Sequence, residues 1–224
     1  MTDTPPPPLE ATTGDSPRAS VIWLHGLGAD GYDFLPIVDQ LDLAGLVDLR
    51  FVFPHAPLLP VTLNNGCVMP AWYDVIAIRA DAPEDEAGIR ASARTLETLI
   101  AREGARGIPA HRIVLAGFSQ GGVIALHTAL RHERRLAGAL ILSSYLALPD
   151  RLTAEASTAN RDLPIFMAHG TLDNIVPESL ARRSERRLTE LGYEVEWHDY
   201  AMAHSVCPEE IADIGNWLKR VLAG

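Results

Sequence analysis

Short runs of apolar residues recur along the chain from residue 20 onward, and stretches with helical periodicity separate them. Most of these runs are continuous rather than alternating, which is typical of strands covered by helices on both faces of a parallel sheet. The predicted strands are Val21–Leu24, Phe51–Phe53, Ile113–Ala116, Ala139–Leu142, Ile165–Ala168 and Glu194–Trp197.

Three longer segments have the pattern of helices that pack on such a sheet. Residues 85–102 repeat apolar side chains three and four positions apart, and a glycine follows two residues later. A second helix is predicted over 177–191, with Gly192 in the position that commonly ends a helix. The last runs from about 208 to 220, with acidic residues first and basic residues last, an order that suits the helix dipole.

The alternation of strands and helices predicts an α/β fold with three layers and a mostly parallel central sheet. One domain is expected over residues 18–224, without an internal repeat. Residues 1–17 include four consecutive prolines and are predicted to form a flexible lead-in. They lack the positively charged segment followed by an apolar segment that is typical of a signal peptide. Only about 20 residues separate Leu142 from Ile165, which is too short for a large lid.

Composition narrows the classes of partner. The formal net charge is −10, and the acidic residues are spread along the chain, so nucleic acid and anionic lipid are poor partners. No segment approaches the roughly 20 apolar residues of a membrane-spanning helix. We expect a cytoplasmic protein without stable membrane association. Cys67 and Cys207 are expected to be free thiols, with a disulfide as the alternative.

A candidate nucleophile follows the third predicted strand. The segment Gly117-Phe118-Ser119-Gln120-Gly121 lies between that strand and an apolar stretch that resembles the start of a buried helix. This strand–turn–helix order is what a nucleophile elbow requires. The turn is strained, so its neighbours need to be glycine, and the amide of Gln120 would point at a developing oxyanion. The alternative is a glycine-rich turn with a capping serine.

A serine hydroxyl needs a histidine to take its proton and a carboxylate to orient that histidine. In this fold the three residues occur in the order Ser, Asp, His, each after a strand. Asp173 follows strand 165–168, 54 residues after Ser119, and His204 follows the last predicted strand 31 residues later. For Asp173 alone, a helix-capping role is the alternative. For His204 alone, the alternative is an exposed loop residue without a catalytic role.

A second glycine-rich loop follows the first predicted strand. It does not fit the dinucleotide-binding pattern, but it fits the loop that supplies another oxyanion amide, and we assign that amide to Leu27. A plain glycine turn is the alternative. The sequence has neither a closely spaced histidine pair nor a Cys-x-x-Cys motif, so no metal and no cofactor is expected.

Six ordered motifs together resemble the bacterial carboxylesterase and acyl-protein thioesterase (lysophospholipase-like) family of α/β hydrolases. They span the chain from Val21 to its end and are Trp23–Gly28, Phe53–Pro57, Met69–Asp74, Gly117–Gly122, His169–Pro177 and the loop of His204. The resemblance implies the α/β-hydrolase fold, small esters, thioesters or lysophospholipids as substrates, and often a homodimer. It also implies that Trp72 lies near the acyl pocket, for which aromatic packing is the alternative. Phe118, beside the nucleophile, is a further candidate substrate contact.

We therefore expect a serine carboxylesterase that hydrolyses short- to medium-chain carboxylic esters through an acyl-enzyme. An acyl-protein thioesterase or a lysophospholipase with the same triad is the alternative within hydrolases. A non-catalytic binding protein with this fold is the alternative outside them, although such proteins usually lack a triad member.

Overall fold

The computed structural model describes residues 5–223 and contains one large sheet with a separate hairpin. In this part of the chain the strands are β1 (Leu9–Thr12), β2 (Ala19–Leu24), β3 (Leu49–Phe53), β4 (Leu58–Val61), β5 (Cys67–Pro70), β6 (Ile113–Phe118), β7 (Gly138–Leu142), β8 (Ile165–Gly170) and β9 (Val195–Tyr200). The α-helices are α1 (Glu86–Ala105), α2 (Gln120–Ala129), α3 (Pro149–Glu155), α4 (Glu178–Glu190) and α5 (Pro208–Val221).

The large sheet has the order β1-β3-β2-β6-β7-β8-β9, and all of its pairings are parallel except that of β1 with β3. All six strands predicted from the apolar runs are confirmed, and no end differs by more than three residues. The strand order reverses beside β2 and β6, which is where ligands bind in open sheets of this kind.

Alternate residues of β2 divide the core into two layers. Ile22 and Leu24 join a cluster that includes residues of α1, α2 and α4, whereas Val21 and Trp23 join a second cluster that includes residues of α5. Helices therefore cover both faces of the sheet. This arrangement confirms the predicted three-layer architecture and the α/β-hydrolase fold.

The predicted flexible lead-in is wrong for residues 9–12. This segment forms β1, which pairs antiparallel with β3 at the edge of the sheet, from Leu9 opposite Phe53 to Thr12 opposite Arg50. The side chain of Glu10 accepts hydrogen bonds from Arg102 at 2.7 Å and Arg106 at 2.8 and 2.9 Å, which joins the strand to the end of α1. Edge pairing and these contacts from distant residues order the segment.

The apolar segment 58–69 lies outside the large sheet, and most of it forms the antiparallel hairpin of β4 and β5. Leu58 and Val68 are exposed on this hairpin, so its apolar residues do not mark a buried strand. Cys67 is exposed at the start of β5, and both it and the partly buried Cys207 are free thiols.

No large lid is inserted between β7 and β8, where the chain forms the short helix α3 and one 3-10 turn. Within residues 5–223, none of the helices is both long enough and apolar enough to cross a membrane.

Candidate active site

Ser119 occupies the sharp turn between β6 and α2, with φ 52° and ψ −121°. A non-glycine residue with positive φ is strained by about 1–3 kcal/mol, so the surroundings must hold it in place. A Cβ atom at Gly117 would lie 2.4 Å from the Gly121 backbone, and one at Gly121 would lie 2.4 Å from the carbonyl oxygen of Leu24. Only glycine at these two positions allows the turn to pack this closely.

Two hydrogen bonds anchor the turn to the neighbouring strand and to the loop after it. The backbone amide of Ser119 donates to the carbonyl oxygen of Leu142 at 2.9 Å. The hydroxyl of Ser144 donates to the carbonyl oxygen of Ser119 at 2.7 Å. The backbone of Ser119 is therefore fixed on both sides.

Asp173 and His204 are in contact although 31 residues separate them. Nδ1 of His204 lies 2.6 Å from Oδ2 of Asp173, whose side chain is fully buried. The other carboxylate oxygen, Oδ1, accepts the backbone amides of Ile175 and Val176, each at 2.9 Å. The carboxylate acts only as an acceptor here, so Nδ1 of His204 carries the proton and Nε2 is left to accept one.

The same imidazole lies beside the nucleophile turn. The ring of His204 packs on the ring of Phe118 at 4.7 Å between centroids, and both His204 and Ser119 line one cavity of about 370 Å³. The structure thus brings the three residues of the predicted triad to one rim, at the carboxyl ends of β6, β8 and β9.

The backbone amides of Leu27 and Gln120 are the predicted oxyanion donors. Both residues line it, and within residues 5–223 neither backbone amide has a hydrogen-bond acceptor. The amide of Gln120 is at the first position of α2, where the helix dipole favours negative charge. Two unpaired amides on the cavity that Ser119 also lines fit the predicted oxyanion hole, and that role stays a prediction.

His25 holds the loop that carries Leu27. Its Nδ1 donates to the carbonyl oxygen of Gly26 at 2.8 Å, and its Nε2 accepts the amide of Ala56 at 3.1 Å. Burial lowers the pKa of His25 below its ordinary value near 6.5, mainly because the charged form loses solvation. The ring is therefore neutral, with its proton on Nδ1.

The side chain of Gln120 has a structural role that the sequence did not indicate. Its Oε1 accepts the amide of Trp72 at 2.8 Å, and its Nε2 donates to the carbonyl oxygen of Tyr73 at 2.7 Å. The side chain is buried, so both bonds are shielded from water. They fix the segment after β5 to the first turn of α2.

The two predicted substrate contacts differ in position. Phe118 lines the cavity, whereas Trp72 is buried behind its wall and is not among the lining side chains. The indole N–H of Trp72 donates to the carbonyl oxygen of His25 at 2.9 Å. Trp72 therefore supports the loop that carries Leu27, and its direct contact with a substrate stays a prediction.

Apolar and aromatic side chains form most of the remaining cavity wall. They are contributed by Leu63, Val75, Ile78, Tyr145, Ile175 and Val176. The hydroxyl of Tyr145 lies 3.1 Å from that of Tyr73, which closes one side. Among residues 5–223, no three His, Cys, Asp or Glu side chains are grouped so that they could hold a metal ion.

Comparison with known proteins gives a consistent result. Residues 11–222 match the model of the family described as phospholipase/carboxylesterase. The chain is 41% identical to acyl-protein thioesterase 1 of Neurospora crassa over 221 residues, which cover 95% of this chain and 90% of that protein. It is 39% identical to acyl-protein thioesterase 1 of Yarrowia lipolytica over 206 residues, with 90% and 91% covered.

Solved structures with the same fold include two plant proteins. SOBER1 of Arabidopsis thaliana superimposes with a TM-score of 0.87 at 31% identity, over 92% of this chain and 99% of that one. Acyl-protein thioesterase 2 of Zea mays superimposes with a TM-score of 0.83 at 28% identity, over 96% and 99%. Both similarities extend over nearly the whole chain.

Proposed function

Since the chain belongs to the phospholipase/carboxylesterase family of α/β hydrolases, and is therefore a serine hydrolase of esters or thioesters, we propose that its substrates are S-acylated proteins. The observation that carries the proposal is the similarity to fungal proteins named acyl-protein thioesterase 1, which are 36–41% identical over at least 90% of this chain. These names favour the thioesterase alternative over the carboxylesterase for short- to medium-chain esters that is expected from the sequence.

In the proposed mechanism, Nε2 of His204 takes the proton of Ser119 as the hydroxyl oxygen attacks the thioester carbonyl carbon. The carbonyl oxygen gains negative charge, and the amides of Leu27 and Gln120 stabilise it by roughly 3–4 kcal/mol each. Asp173 holds the imidazole in place and stabilises its charged form. When the tetrahedral intermediate collapses, the carbon–sulfur bond breaks and His204 gives its proton to the leaving thiolate.

The second half of the reaction uses the same groups. A water molecule gives a proton to His204 and attacks the acyl-serine ester, the oxyanion forms again between the two amides, and Ser119 leaves with the proton returned by His204. The products are a free carboxylic acid and a free thiol. Residues of this chain supply every proton-transfer group in this scheme.

Hydrolysis of oxygen esters is a second candidate, because the same steps apply when the leaving atom is oxygen. The cavity beside Ser119 supports it, since its volume of about 370 Å³ and its mostly apolar wall fit a short or medium acyl chain. Lysophospholipids, which are oxygen esters with a larger leaving group, are the third candidate class of substrate.

A matched substrate panel tests the proposal. Peptides S-acylated at cysteine, the corresponding O-acyl serine peptides and a lysophospholipid would carry the same acyl chain, and kcat/KM would be measured for each. We expect the S-acyl peptide to be cleaved at least about tenfold more efficiently than the other two, which corresponds to about 1.4 kcal/mol in transition-state binding. Preference for the lysophospholipid or the O-acyl peptide would contradict the proposal and leave the hydrolase class intact.

A further inference from the structure

A second cavity meets the first one at His204. It has a volume of about 320 Å³ and lies between the 3-10 helix Leu35–Asp39 and the loop of His204. Asp33, Phe118 and His204 line both cavities. Ser119 and the two candidate oxyanion residues line only the first. The two cavities therefore adjoin each other at these three residues, with Ser119 on the side of the first cavity.

The reaction assigns different parts of the substrate to these two sides. The acyl carbonyl must lie at Ser119 and the oxyanion amides, all in the first cavity. The leaving atom must lie where His204 can protonate it, because the same imidazole acts as base and then as acid. The group attached to the leaving atom thus extends past His204, and the second cavity is the space next to it.

The wall of the second cavity mixes apolar and polar surface in nearly equal parts and carries one carboxyl side chain. The apolar part is made by Phe34, Pro36, Ile37, Phe118, Val206 and Ile211. Gln40 and Ser205 add neutral polar groups, and neither cavity has a Lys or Arg side chain in its wall. Asp33 is the sole carboxylate in both linings. It is exposed, and within residues 5–223 its carboxylate has no hydrogen-bond or ion-pair partner.

We propose that this second cavity is the leaving-group site and that it favours leaving groups with a positive charge a few bonds from the scissile bond. Asp33 would attract an ammonium or guanidinium group across this space. In an S-acylated protein, such a group would be a basic side chain next to the acylated cysteine. The inference rests on the proposed thioesterase activity.

Two thioesters that differ only in charge test it. Butyrylthiocholine carries a quaternary ammonium, and S-(3,3-dimethylbutyl) thiobutyrate replaces that nitrogen with carbon. At about 10 mM ionic strength we expect kcat/KM to be about three- to tenfold higher for the cation, the size that one nearby exposed carboxylate gives. In Asp33→Asn the ratio should fall toward one. Asp39→Asn is the matched control, because Asp39 is an exposed carboxylate of the adjacent helix that lines neither cavity, and its ratio should equal that of the wild type.

Gln40→Trp tests the location separately from the charge. Gln40 is exposed and lines only the second cavity, so a bulkier side chain would narrow that space. We expect kcat/KM to fall at least about threefold more for the dimethylbutyl thioester than for S-methyl thiobutyrate, a factor that needs only a modest steric clash.

The results distinguish failure of the leaving-group site from failure of the thioesterase activity. The charge preference would be overturned if the wild-type kcat/KM for butyrylthiocholine did not exceed that for the neutral thioester. It would also be overturned if Asp33→Asn left the ratio of these two values unchanged. In both cases the enzyme would remain a thioesterase. Equal loss of both thioesters in Gln40→Trp would overturn the location. Failure to hydrolyse even the neutral thioester would refute the thioesterase activity, and the inference would then fall with it.

Discussion

His169 approaches the same carboxylate oxygen that holds His204. Its Nε2 lies 3.4 Å from Oδ2 of Asp173 and donates to the carbonyl oxygen of Val176 at 2.8 Å. The ring is fully buried, and its Nδ1 has no hydrogen-bond partner among residues 5–223. His169 therefore donates through Nε2 and braces the loop that carries Asp173.

Replacing His169 should impair turnover more than binding. In His169→Phe the ring volume is largely kept, but the donor to the 173–176 loop is lost. We expect kcat to fall about tenfold with KM within about twofold of the wild type, because a small displacement of Asp173 affects the transition state most. His169→Gln restores a donor and should recover part of the loss. Equal kcat in the wild type and His169→Phe would contradict this role.

Changing Asp173 to asparagine should be far more damaging. The new side chain would offer an amide where the carboxylate accepts the Nδ1 proton of His204, and the imidazole would then favour the wrong tautomer. In comparable triads this substitution lowers kcat by about 10⁴. For Asp173→Asn we expect a loss of about 10³–10⁴ in kcat, measured by steady-state hydrolysis, with the fold unchanged by circular dichroism. A loss of less than tenfold would show that Asp173 does not orient the base.

The Gln120 side chain should contribute measurably to stability. Gln120→Met keeps the length and the backbone amide but removes the bonds to Trp72 and Tyr73, which leaves two buried backbone groups unpaired. We expect the free energy of unfolding to fall by about 2–4 kcal/mol in urea denaturation. Gln40→Met is the control, since its hydrogen bond to Pro36 is exposed, and it should change the value by less than about 0.5 kcal/mol. Similar values for the two variants would refute the role of Gln120.

Glu210 should make stability depend on pH. Burial raises the pKa of its carboxyl to about 8, and the nearby amide of Cys207 opposes the shift without a well-formed hydrogen bond. The folded chain thus binds this proton more tightly than the unfolded chain does. The resulting stability is full below about pH 4.5 and is lost as the pH rises to about 8.

Glu210→Gln removes this dependence. Relative to the wild type, we expect the variant to become more stable by about 3–4 kcal/mol between pH 5 and pH 8, measured as the difference in free energy of unfolding at each pH. Glu209→Gln, at an exposed neighbour in the same helical turn, should show no such change. A difference that stays constant with pH would contradict the assignment.

Local patterns predicted most of the sheet and the position of each candidate triad residue. The apolar runs mark buried parallel strands, and the elbow at Ser119 has a glycine pattern that steric contacts with Leu24 and Gly121 explain. The order and spacing of Asp173 and His204 follow from strand–helix units of about 30 residues. These features depend on neighbours in sequence or on the repeat length of the fold.

The missed features depend on contacts between distant residues. Strand β1 follows a proline-rich segment. It is held by pairing with β3 and by ion pairs of Glu10 with Arg102 and Arg106 at the end of α1, more than 90 positions away. The bonds from Gln120 to Trp72 and Tyr73 span 48 and 47 residues. The contact of His169 with Val176 closes a loop whose shape the sequence does not specify. No local pattern encodes such partners.

The account as a whole depends on Ser119 being the nucleophile that His204 activates. A fluorophosphonate probe forms a stable adduct only with an activated serine, so intact-protein and peptide mass spectrometry after labelling test this directly. The account predicts one adduct per chain, located on Ser119, with labelling and thioester hydrolysis both absent in Ser119→Ala and strongly reduced in His204→Ala. An adduct on another residue, or thioester hydrolysis at the wild-type rate by Ser119→Ala, would contradict it.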